Sequence, residues 1–441
     1  MSSAPPKPLV AIVTTDFAGV TRGRSVAADR LDEVLAGGIG WLPANLSLTP
    51  FDGIATPNPW GSRGDLRVLP DPDARYRCEA TGSATPFDMI MGEVVDLDGS
   101  PWRGCARGLL RGAIDGLRER YGIDLRTSFE QEFQLVDADL PAAHSLSFAA
   151  LRRVDPLGPM LMAALEAAGV EPEVMIAEFG RDQFEVTCAP ADPVTAADRA
   201  VVIREIVRET ARSLGWHASF APKTAADGVG NGVHIHLSLW SDDGRPLTRD
   251  GGAVSGLSAR AEAFFAGILR HMPALVALTA PSPLSYLRLR PHSWSASYSW
   301  LADRDREAAL RICPTWSVGG GVPDRQCNVE YRAADATANP YLALYGLVRA
   351  GLTGLAGDER LPALDPRHPG GLTARELADA GIVRLPETLE MALRALTDDK
   401  EAASWLAPDV LETYLGVRNA ELARVVGLTP DDVCALYKWL Y

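Results

Sequence analysis

The residues best suited to chemistry are glutamates that lie in segments predicting β-strands. In TSFEQEFQL, Glu130 and Glu132 are two residues apart, so in a strand they share one face while apolar side chains take the other. QFEVT repeats this spacing at Glu185, CNVEYR repeats it at Glu330, and Glu178 precedes Glu185 across the turn-like FGRD. Five carboxylates gathered on one concave surface would repel one another, so they require cations or arginines nearby. Oxygen ligands of this kind predict a site for two divalent cations.

The segment GVHIHLSLW adds imidazoles to this set. Its alternation is strict: His234, His236 and Ser238 point one way, and the valine, isoleucine and leucines point the other. This is the pattern of a strand that is backed by a core and faces a wet cleft. A Glu-x-Glu or His-x-His pair taken alone is usually a solvated surface pair. The prediction of a metal site therefore rests on the combination of segments.

Arginines occur in the segments that lead into and follow the last glutamate. They are Arg288, Arg306, Arg311 and Arg332. Guanidinium groups suit bidentate binding of carboxylates and phosphates, so their presence beside a dication site predicts phosphoryl chemistry on an acidic substrate. The alternating DRDRE can also be read as a solvated loop, and for Arg304 we favour surface ion pairing.

These segments resemble the metal-binding motifs of the glutamine synthetase superfamily. The family's E-x-E-F strand, E-x-x-x-G-Q-x-E turn, G-x-G-x-H-x-H strand and E-x-R strand ending in A-N-P-Y-L stand here as EQEF, EFGRDQFE, GNGVHIH and EYRAADATANPYL, in the family's order. Four motifs in register make the resemblance specific. It extends from about GVTRGRS to the last predicted helix.

The resemblance implies roles for individual residues. It makes Glu132, Glu178 and Glu185 the ligands of one cation, and Glu130, His234 and Glu330 the ligands of the other. The implied cofactors are Mg²⁺ or Mn²⁺, two per active site, with ATP as a co-substrate. The implied glutamate-binding residues are Gly230, Arg288, Arg306 and Arg332, the ATP-binding residues are Glu173, His236, Ser238 and Arg311, and the catalytic residues are Arg306 and Glu330.

The sequence departs from the family at the positions that handle ammonium. Ammonium-using relatives carry a glutamate on a flap where this chain has Trp294, in PHSWSAS. An indole cannot deprotonate ammonium, but it can pack against alkyl chains or hold a cationic amine by its face, worth about 0.5–2 kcal/mol. Trp294 can equally be a core aromatic. The loop FDGIATPNPW retains Asp52 but lacks the family's serines, which makes Asp52 a second candidate for the amine pocket.

The leading prediction is a glutamine synthetase-like γ-glutamyl-amide ligase. Such an enzyme activates the γ-carboxylate of L-glutamate as γ-glutamyl phosphate and joins it to a polyamine, ethanolamine or a small alkylamine. The alternative is an ammonium-using glutamine synthetase, in which Asp52 and another acid rebuild the ammonium site. A second alternative is a non-catalytic structural member of the fold. Six intact ligands argue against it, because a structural protein has no reason to keep mutually repelling acids.

Bulk properties agree with an enzyme of small molecules. The 441 residues are 47% hydrophobic, which predicts two or more domains with large cores. A net charge of −14 and the lack of a basic stripe disfavour nucleic acid as a partner. The six cysteines form no CxxC pair, which favours a reducing cytoplasm. No run of 18 apolar residues occurs, so we expect neither secretion nor a membrane partner.

The predicted fold class is α+β. Residues 1 to about 100 predict short strands and loops, with a boundary at DLDGSPWRG before the helical pattern of LLRGAIDGLRER. Later helices are predicted at DPVTAADRAVVIREIVRETARSLG, with Asp192 as its cap, at SARAEAFFAGILRHMPALVALT, and over most of the chain after Asn339. The resemblance implies an N-terminal β-grasp domain (1–100), a catalytic domain (101–441) with a curved antiparallel sheet flanked by helices, and a large homo-oligomer of two stacked rings.

Overall fold

The computed structural model describes residues 7–362, 364 and 367–441. The strands are β1 (Leu9–Thr15), β2 (Thr21–Ala27), β3 (Ile39–Trp41), β4 (Leu66–Cys78), β5 (Phe87–Val95), β6 (Ile123–Val136), β7 (Pro172–Ala177), β8 (Gln183–Cys188), β9 (His217–Ser219), β10 (Val233–Ser241), β11 (Leu301–Asp303), β12 (Leu310–Ile312) and β13 (Val329–Ala334). The helices are α1 (Leu31–Gly37), α2 (Ala106–Tyr121), α3 (Phe148–Arg152), α4 (Leu157–Ala167), α5 (Pro193–Ser213), α6 (Ala259–Thr279), α7 (Ser285–Arg288), α8 (Pro323–Gln326), α9 (Pro340–Ala356), α10 (Ala374–Asp379), α11 (Leu389–Asp398), α12 (Lys400–Ala403), α13 (Pro408–Val425) and α14 (Pro430–Tyr437).

The N-terminal sheet contains five strands in the order β2-β1-β5-β4-β3. The β1–β5 pair is parallel and the other pairs are antiparallel. The sequence predicted only strands and loops here, so helix α1 was missed. Val34 is the one buried side chain among its seven residues, which leaves almost no apolar periodicity to detect.

The larger sheet has eight strands and carries the predicted polar faces. Its order is β11-β12-β13-β10-β6-β8-β7, with β9 pairing beside β6. The helices α2 and α5 contact β6, and α6 contacts α9. This arrangement confirms the α+β class. One detail of the expected antiparallel sheet was wrong: β11 and β12 are parallel, because the 304–309 connection returns the chain to the starting end of β11 before β12 begins.

The long helices follow the sequence pattern. The carboxylate of Asp192 caps α5 as predicted, since its Oδ1 accepts from the backbone N–H groups of Val194 and Thr195, both at 3.1 Å. Helix α6 is long and apolar enough to cross a membrane by length and composition, but 78% of that window is buried inside the protein. Its apolar character therefore serves the core of the fold.

Removing the cap of α5 should have a small, measurable cost. We expect Asp192→Ala to lower the free energy of unfolding by about 1 kcal/mol, because two backbone N–H groups lose their acceptor. A thermal melt against the wild type measures this, and Asp192→Ser, which retains an acceptor, is the matched control. An equal loss in both variants would contradict the capping explanation.

Two buried side chains of the C-terminal half bind backbone carbonyls of the N-terminal part. Arg418 of α13 is fully buried, and its guanidinium donates to the carbonyl oxygens of Phe17 and, at 3.1 Å, of Pro281. Asn339 donates to the carbonyl oxygen of Thr15 at 2.9 Å. Core residues of both sheets belong to one continuous apolar cluster. The two sheets are therefore packed as one body around the site.

Candidate active site

Four neighbouring strands bring the predicted glutamates and histidines together. Strands β13, β10, β6 and β8 lie side by side, and residues paired directly across strands share a face. The pairs are Glu130 with His234, Glu132 with Glu185, and His236 with Glu330. The polar stripe on β10 is backed by apolar side chains that are at most 4% exposed, as its alternation predicted.

Glu130 lies between the two imidazoles of β10. One carboxylate oxygen is 2.9 Å from His234 Nδ1 and the other is 3.0 Å from His236 Nε2. Burial would raise the pKa of Glu130, but hydrogen bonds to His234 and His236 and their charge lower it below its usual value. The carboxylate of Glu130 is therefore ionised at physiological pH.

Glu330 is the most strongly compensated carboxylate of the cluster. Arg311 Nη1 donates to it at 2.8 Å, Arg332 donates to its other oxygen, and His234 Nδ1 is 3.6 Å away. Burial opposes ionisation, yet attraction to His234 and Arg332 lowers the pKa of Glu330 to about 2. Arg311 and Arg332 thus contact Glu330 on β13, as the sequence grouping predicted.

The other carboxylates have few donors. Glu132 accepts from the backbone N–H of Gly232 at 2.8 Å and from Gln183 Nε2 at 3.3 Å. Among the described residues, Glu178 accepts only from the adjacent N–H of Phe179, at 3.2 Å. No side chain or backbone group in the described ranges donates to the carboxylate of Glu185. Carboxyl groups are therefore crowded at Glu132, Glu178 and Glu185 with few hydrogen-bond donors among the described residues to stabilise their charged forms.

This half of the cluster fits a hard divalent cation. Burial, followed by repulsion from four neighbouring glutamates, raises the pKa of Glu185 to about 9, and burial raises the pKa of Glu132. A dication coordinated by these oxygens would remove that penalty, and the set contains only carboxylates and imidazoles. Donor atoms within 4.8 Å of one another form two sets, Glu130 with Glu185 and His234, and Glu130 with His236 and Glu330. Neither set is a trio that the resemblance assigns to one cation: Glu130 belongs to both sets, and Glu132 and Glu178 belong to neither.

The predicted glutamate-binding residues meet beside this cluster, except for one. A Cβ on Gly230 would lie 2.6 Å from Cγ of Arg288, so glycine is required for the arginine to pass. Arg288 is buried, donates to the carbonyl oxygen of Ala334 at 2.6 Å, and keeps an unpaired Nε. Arg306 is exposed: its carbonyl accepts from Arg332 Nε at 2.9 Å, but its guanidinium has no hydrogen bond or ion pair within the described chain. The structure does not bring the Arg306 side chain to the carboxylates.

Only some of the predicted ATP-binding residues reach the cluster. His236 contacts Glu130, and Arg311 contacts Glu330. Ser238 lies farther along β10, where its Oγ accepts from Trp240 Nε1 at 2.9 Å. Glu173 is exposed on the edge strand β7, and no hydrogen bond joins it to the rest of the described residues. The structure therefore does not connect Glu173 with the cluster.

The two predicted amine-pocket residues occupy different parts of the molecule. Trp294 is 70% exposed, so its interpretation as a core aromatic residue was wrong. Arg332 Nη2 lies 3.4 Å from the carbonyl oxygen of Trp294, which places this loop next to the cluster. Asp52 is exposed and pairs with Arg22 at 2.6 Å, so its carboxylate is engaged away from the cluster of its own chain.

Three residues near the cluster were given no role from the sequence. Gln183 Nε2 bridges Glu132 and, at 2.8 Å, the carbonyl oxygen of Gly230. Asn328 Oδ1 is 2.8 Å from His236 Nδ1, and the buried Cys313 Sγ is 3.7 Å from the same nitrogen. Cys313 follows Arg311 by two residues, so the two side chains share a face of an extended segment, and this spacing was the sequence signal for the cysteine.

A cavity of about 400 Å³ adjoins the uncompensated carboxylates. Glu178 and Gln183 line the side nearest the cluster, and the rest of the lining includes Leu140, Phe179, His144, Arg153 and Arg181. Its walls combine charged and polar groups with apolar surface, and its volume suits a small organic molecule.

Comparison with known proteins agrees with this geometry. The family model for the glutamine synthetase catalytic domain matches residues 103–433, and the model for the glutamine synthetase N-terminal domain matches residues 3–102. The chain is 38% identical over 443 residues to gamma-glutamylpolyamine synthetase GlnA3 of Streptomyces coelicolor, covering 98% of this chain and 93% of that protein. It is 32% identical over 365 residues to type-1 glutamine synthetase 1 of Dictyostelium discoideum, covering 78% and 71% of the two chains.

A solved structure extends the likeness to the whole fold. A crystal structure described as a novel glutamine synthase homolog is 45% identical, covers all of both chains and superposes with a TM-score of 0.91. The non-catalytic alternative is set aside by these matches. The chain belongs to the glutamine synthetase family and is an ATP-dependent ligase.

Proposed function

We propose that this ligase joins the γ-carboxylate of L-glutamate to an organic amine and releases a γ-glutamyl amide. The observation that carries the proposal is the exposed Trp294 at the flap position beside Arg332. An indole at this point favours an acceptor with alkyl groups over ammonium. The engagement of Asp52 by Arg22 supports the same choice, because it withdraws the other acid suited to ammonium.

The volume of the cavity and one named relative support an amine larger than ammonium. The cavity beside Glu178 has room for an aliphatic chain. The Streptomyces coelicolor relative is named a gamma-glutamylpolyamine synthetase. A polyamine is therefore the first acceptor to test, followed by ethanolamine and small alkylamines.

In the first proposed step, the γ-carboxylate of glutamate attacks the terminal phosphorus of ATP. The bond from phosphorus to ADP breaks and γ-glutamyl phosphate forms. Arg288 and Arg332 would hold the glutamate through charge-assisted hydrogen bonds, and Arg306 would swing from solvent to the transferred phosphoryl group. Among the described residues, the Arg306 guanidinium makes no hydrogen bond or ion pair and Arg288 Nε has no partner, so both have donors to spare for these roles.

In the second proposed step, the neutral amine attacks the acyl carbon of γ-glutamyl phosphate. Phosphate leaves with its bonding electrons, and the amine nitrogen releases one proton. Trp294 would face the alkyl part of the amine while His236, Ser238 and Arg311 keep the nucleotide in place. Water must be kept away from the acyl phosphate, which would otherwise hydrolyse.

Two divalent cations, Mg²⁺ or Mn²⁺, would neutralise the charge of the phosphates, and we assign them to the ligand sets predicted from sequence.

A large homo-oligomer of two stacked rings stays a prediction from the resemblance. Asp52, bound to Arg22 on the outside of its own chain, would reach an active site only in a neighbouring copy. A cytoplasmic location is proposed because all six cysteines are free and buried.

Phosphate release from ATP tests this function. The assay contains glutamate, Mg²⁺ and, separately, ammonium, putrescine, ethanolamine or methylamine, with mass spectrometry of the product. We expect turnover with at least one organic amine and a product carrying the amine on the γ-carbonyl. Turnover with ammonium alone would instead identify an ordinary glutamine synthetase. Omitting glutamate or amine provides the background.

A further inference from the structure

The loop that carries Trp294 is held by a carboxylate outside the metal cluster. Glu307 accepts from the backbone N–H of His292 through one oxygen and from that of Trp294 through the other, both at 3.0 Å. Both loop residues have positive φ, 59° and 53°, a conformation that side chains other than glycine adopt rarely. Such a conformation persists when surrounding contacts determine it, and the two hydrogen bonds are such contacts.

His368 contacts the same carboxylate from a third direction. The backbone N–H of Gly370 donates to His368 Nδ1 at 3.0 Å, so Nδ1 carries no proton and Nε2 is the donor. That Nε2 lies 3.1 Å from Glu307 Oε2. The His368 ring packs 5.7 Å from Trp300 and 5.3 Å from His292, measured between ring centroids. The donor is therefore fixed in orientation.

The remaining side of the loop touches the metal cluster. Arg332, which donates to Glu330, also lies 3.4 Å from the carbonyl oxygen of Trp294. The main chain of Trp294 is thus fastened at its N–H by Glu307 and at its carbonyl by Arg332. Its indole has no such attachment and projects from a fixed backbone.

The contacts of Glu307 differ from those of an ordinary surface ion pair. No arginine or lysine in the described parts of the chain pairs with it, and all three of its partners are N–H donors of the loop and of His368. A half-buried carboxylate that captures two backbone N–H groups fixes the path of a chain, as at a helix cap.

We infer that Glu307 is a positioning residue that sets the acceptor specificity of the ligase by holding Trp294 over the amine site. The inference rests on the proposed function for its substrate. Glu307 itself would touch neither amine nor nucleotide. Its loss should let the 291–295 loop sample other conformations, so the indole would leave the amine while the metal and nucleotide sites stay intact.

Hydrogen–deuterium exchange tests the loop without requiring catalysis. We expect the amides of His292 and Trp294 to exchange about 10-fold faster or more in Glu307→Ala than in the wild type, because their acceptors are gone. Glu307→Gln keeps one acceptor and should show a smaller increase. The matched control is Glu33→Ala, since Glu33 is an exposed residue of α1 whose partner among the described residues is the exposed Arg30. Unchanged exchange in Glu307→Ala would overturn the inference.

Steady-state kinetics test whether the loop acts on the amine. We expect Glu307→Ala to raise the KM for the amine about 10-fold while the KM for ATP changes by less than about twofold. Combined with Trp294→Ala, Glu307→Ala should add no further change, because one residue acts through the other. Additive effects, or equal changes in both KM values, would overturn the inference. If the wild type uses no organic amine, the proposed function fails and with it the role of Glu307 in specificity, whereas faster exchange in Glu307→Ala would still show that Glu307 fixes the loop.

Discussion

We expect the Glu185→Gln variant to lose at least about 100-fold in ligase activity and to bind Mn²⁺ far more weakly, while its metal-free form remains folded. Glu185 has no donor within the described chain and lies among four other carboxylates. Its only evident use is to bind a cation. Glutamine has the same shape as a protonated glutamate, so the variant retains the packing and loses only the ability to become an anionic ligand.

Two measurements separate this result from simple unfolding. A thermal melt with and without Mn²⁺ should show a large metal-dependent increase for the wild type and little for Glu185→Gln. The exposed Glu166→Gln on α4 is the control and should behave as the wild type. A variant that keeps its metal response would remove Glu185 from the proposed ligand set.

Without metal, the stability of the wild type and that of Glu185→Gln should depend differently on pH. The folded wild type keeps the Glu185 proton up to a pKa of about 9, whereas the unfolded chain releases it near the ordinary value of 4.5. The folded state therefore binds the extra proton between these values, and the stability due to this group falls as pH rises through that window. Glu185→Gln lacks this group, so its melting point should gain on that of the wild type between pH 6 and 9. Parallel curves would contradict the raised pKa.

The second large effect is expected at the flap. Trp294→Glu should lower the ratio of kcat/KM for organic amine over ammonium by about 10- to 100-fold. The indole face that packs against the alkyl chain is lost, and a carboxylate able to bind and deprotonate ammonium is introduced. The rate of glutamine formation from ammonium measures the effect of the new carboxylate separately from the loss of the indole.

The matched control at this position is Trp294→Phe. Phenylalanine retains an aromatic face, so its amine preference should stay closer to that of the wild type than to that of Trp294→Glu. Because Trp294 is exposed and its N–H bond to Glu307 uses only the backbone, neither variant should unfold the loop. An unchanged preference in Trp294→Glu would exclude Trp294 from the amine pocket.

The parts of the site that sequence predicts well are those where local alternation and neighbouring strands coincide. The strict pattern of GVHIHLSLW predicted both strand β10 and the side on which His234 and His236 lie. The pairing of Glu132 with Glu185 required the strand order, which no local pattern contains. Strand order follows from long-range packing, and the resemblance supplied only the grouping of these two residues as ligands of one cation.

The features that escaped prediction depend on loops. Glu307 lies in DRDREAAL, whose alternating charges indicate a solvated loop, and that interpretation holds for Arg304, which pairs with Asp303 at 2.9 Å in an exposed position. The role of Glu307 arises only because two backbone N–H groups, made available by positive φ, point at it. Backbone donors leave no mark on residue types, so sequence cannot reveal such a partner.

The carbonyl contacts of Arg418 and Asn339 have an evolutionary consequence. A carbonyl oxygen is present whatever the side chain, so these two residues recognise the path of the N-terminal segment and not its residue identities. Substitutions at Thr15 and Phe17 should therefore leave in place the two hydrogen bonds that seat this segment on the C-terminal half.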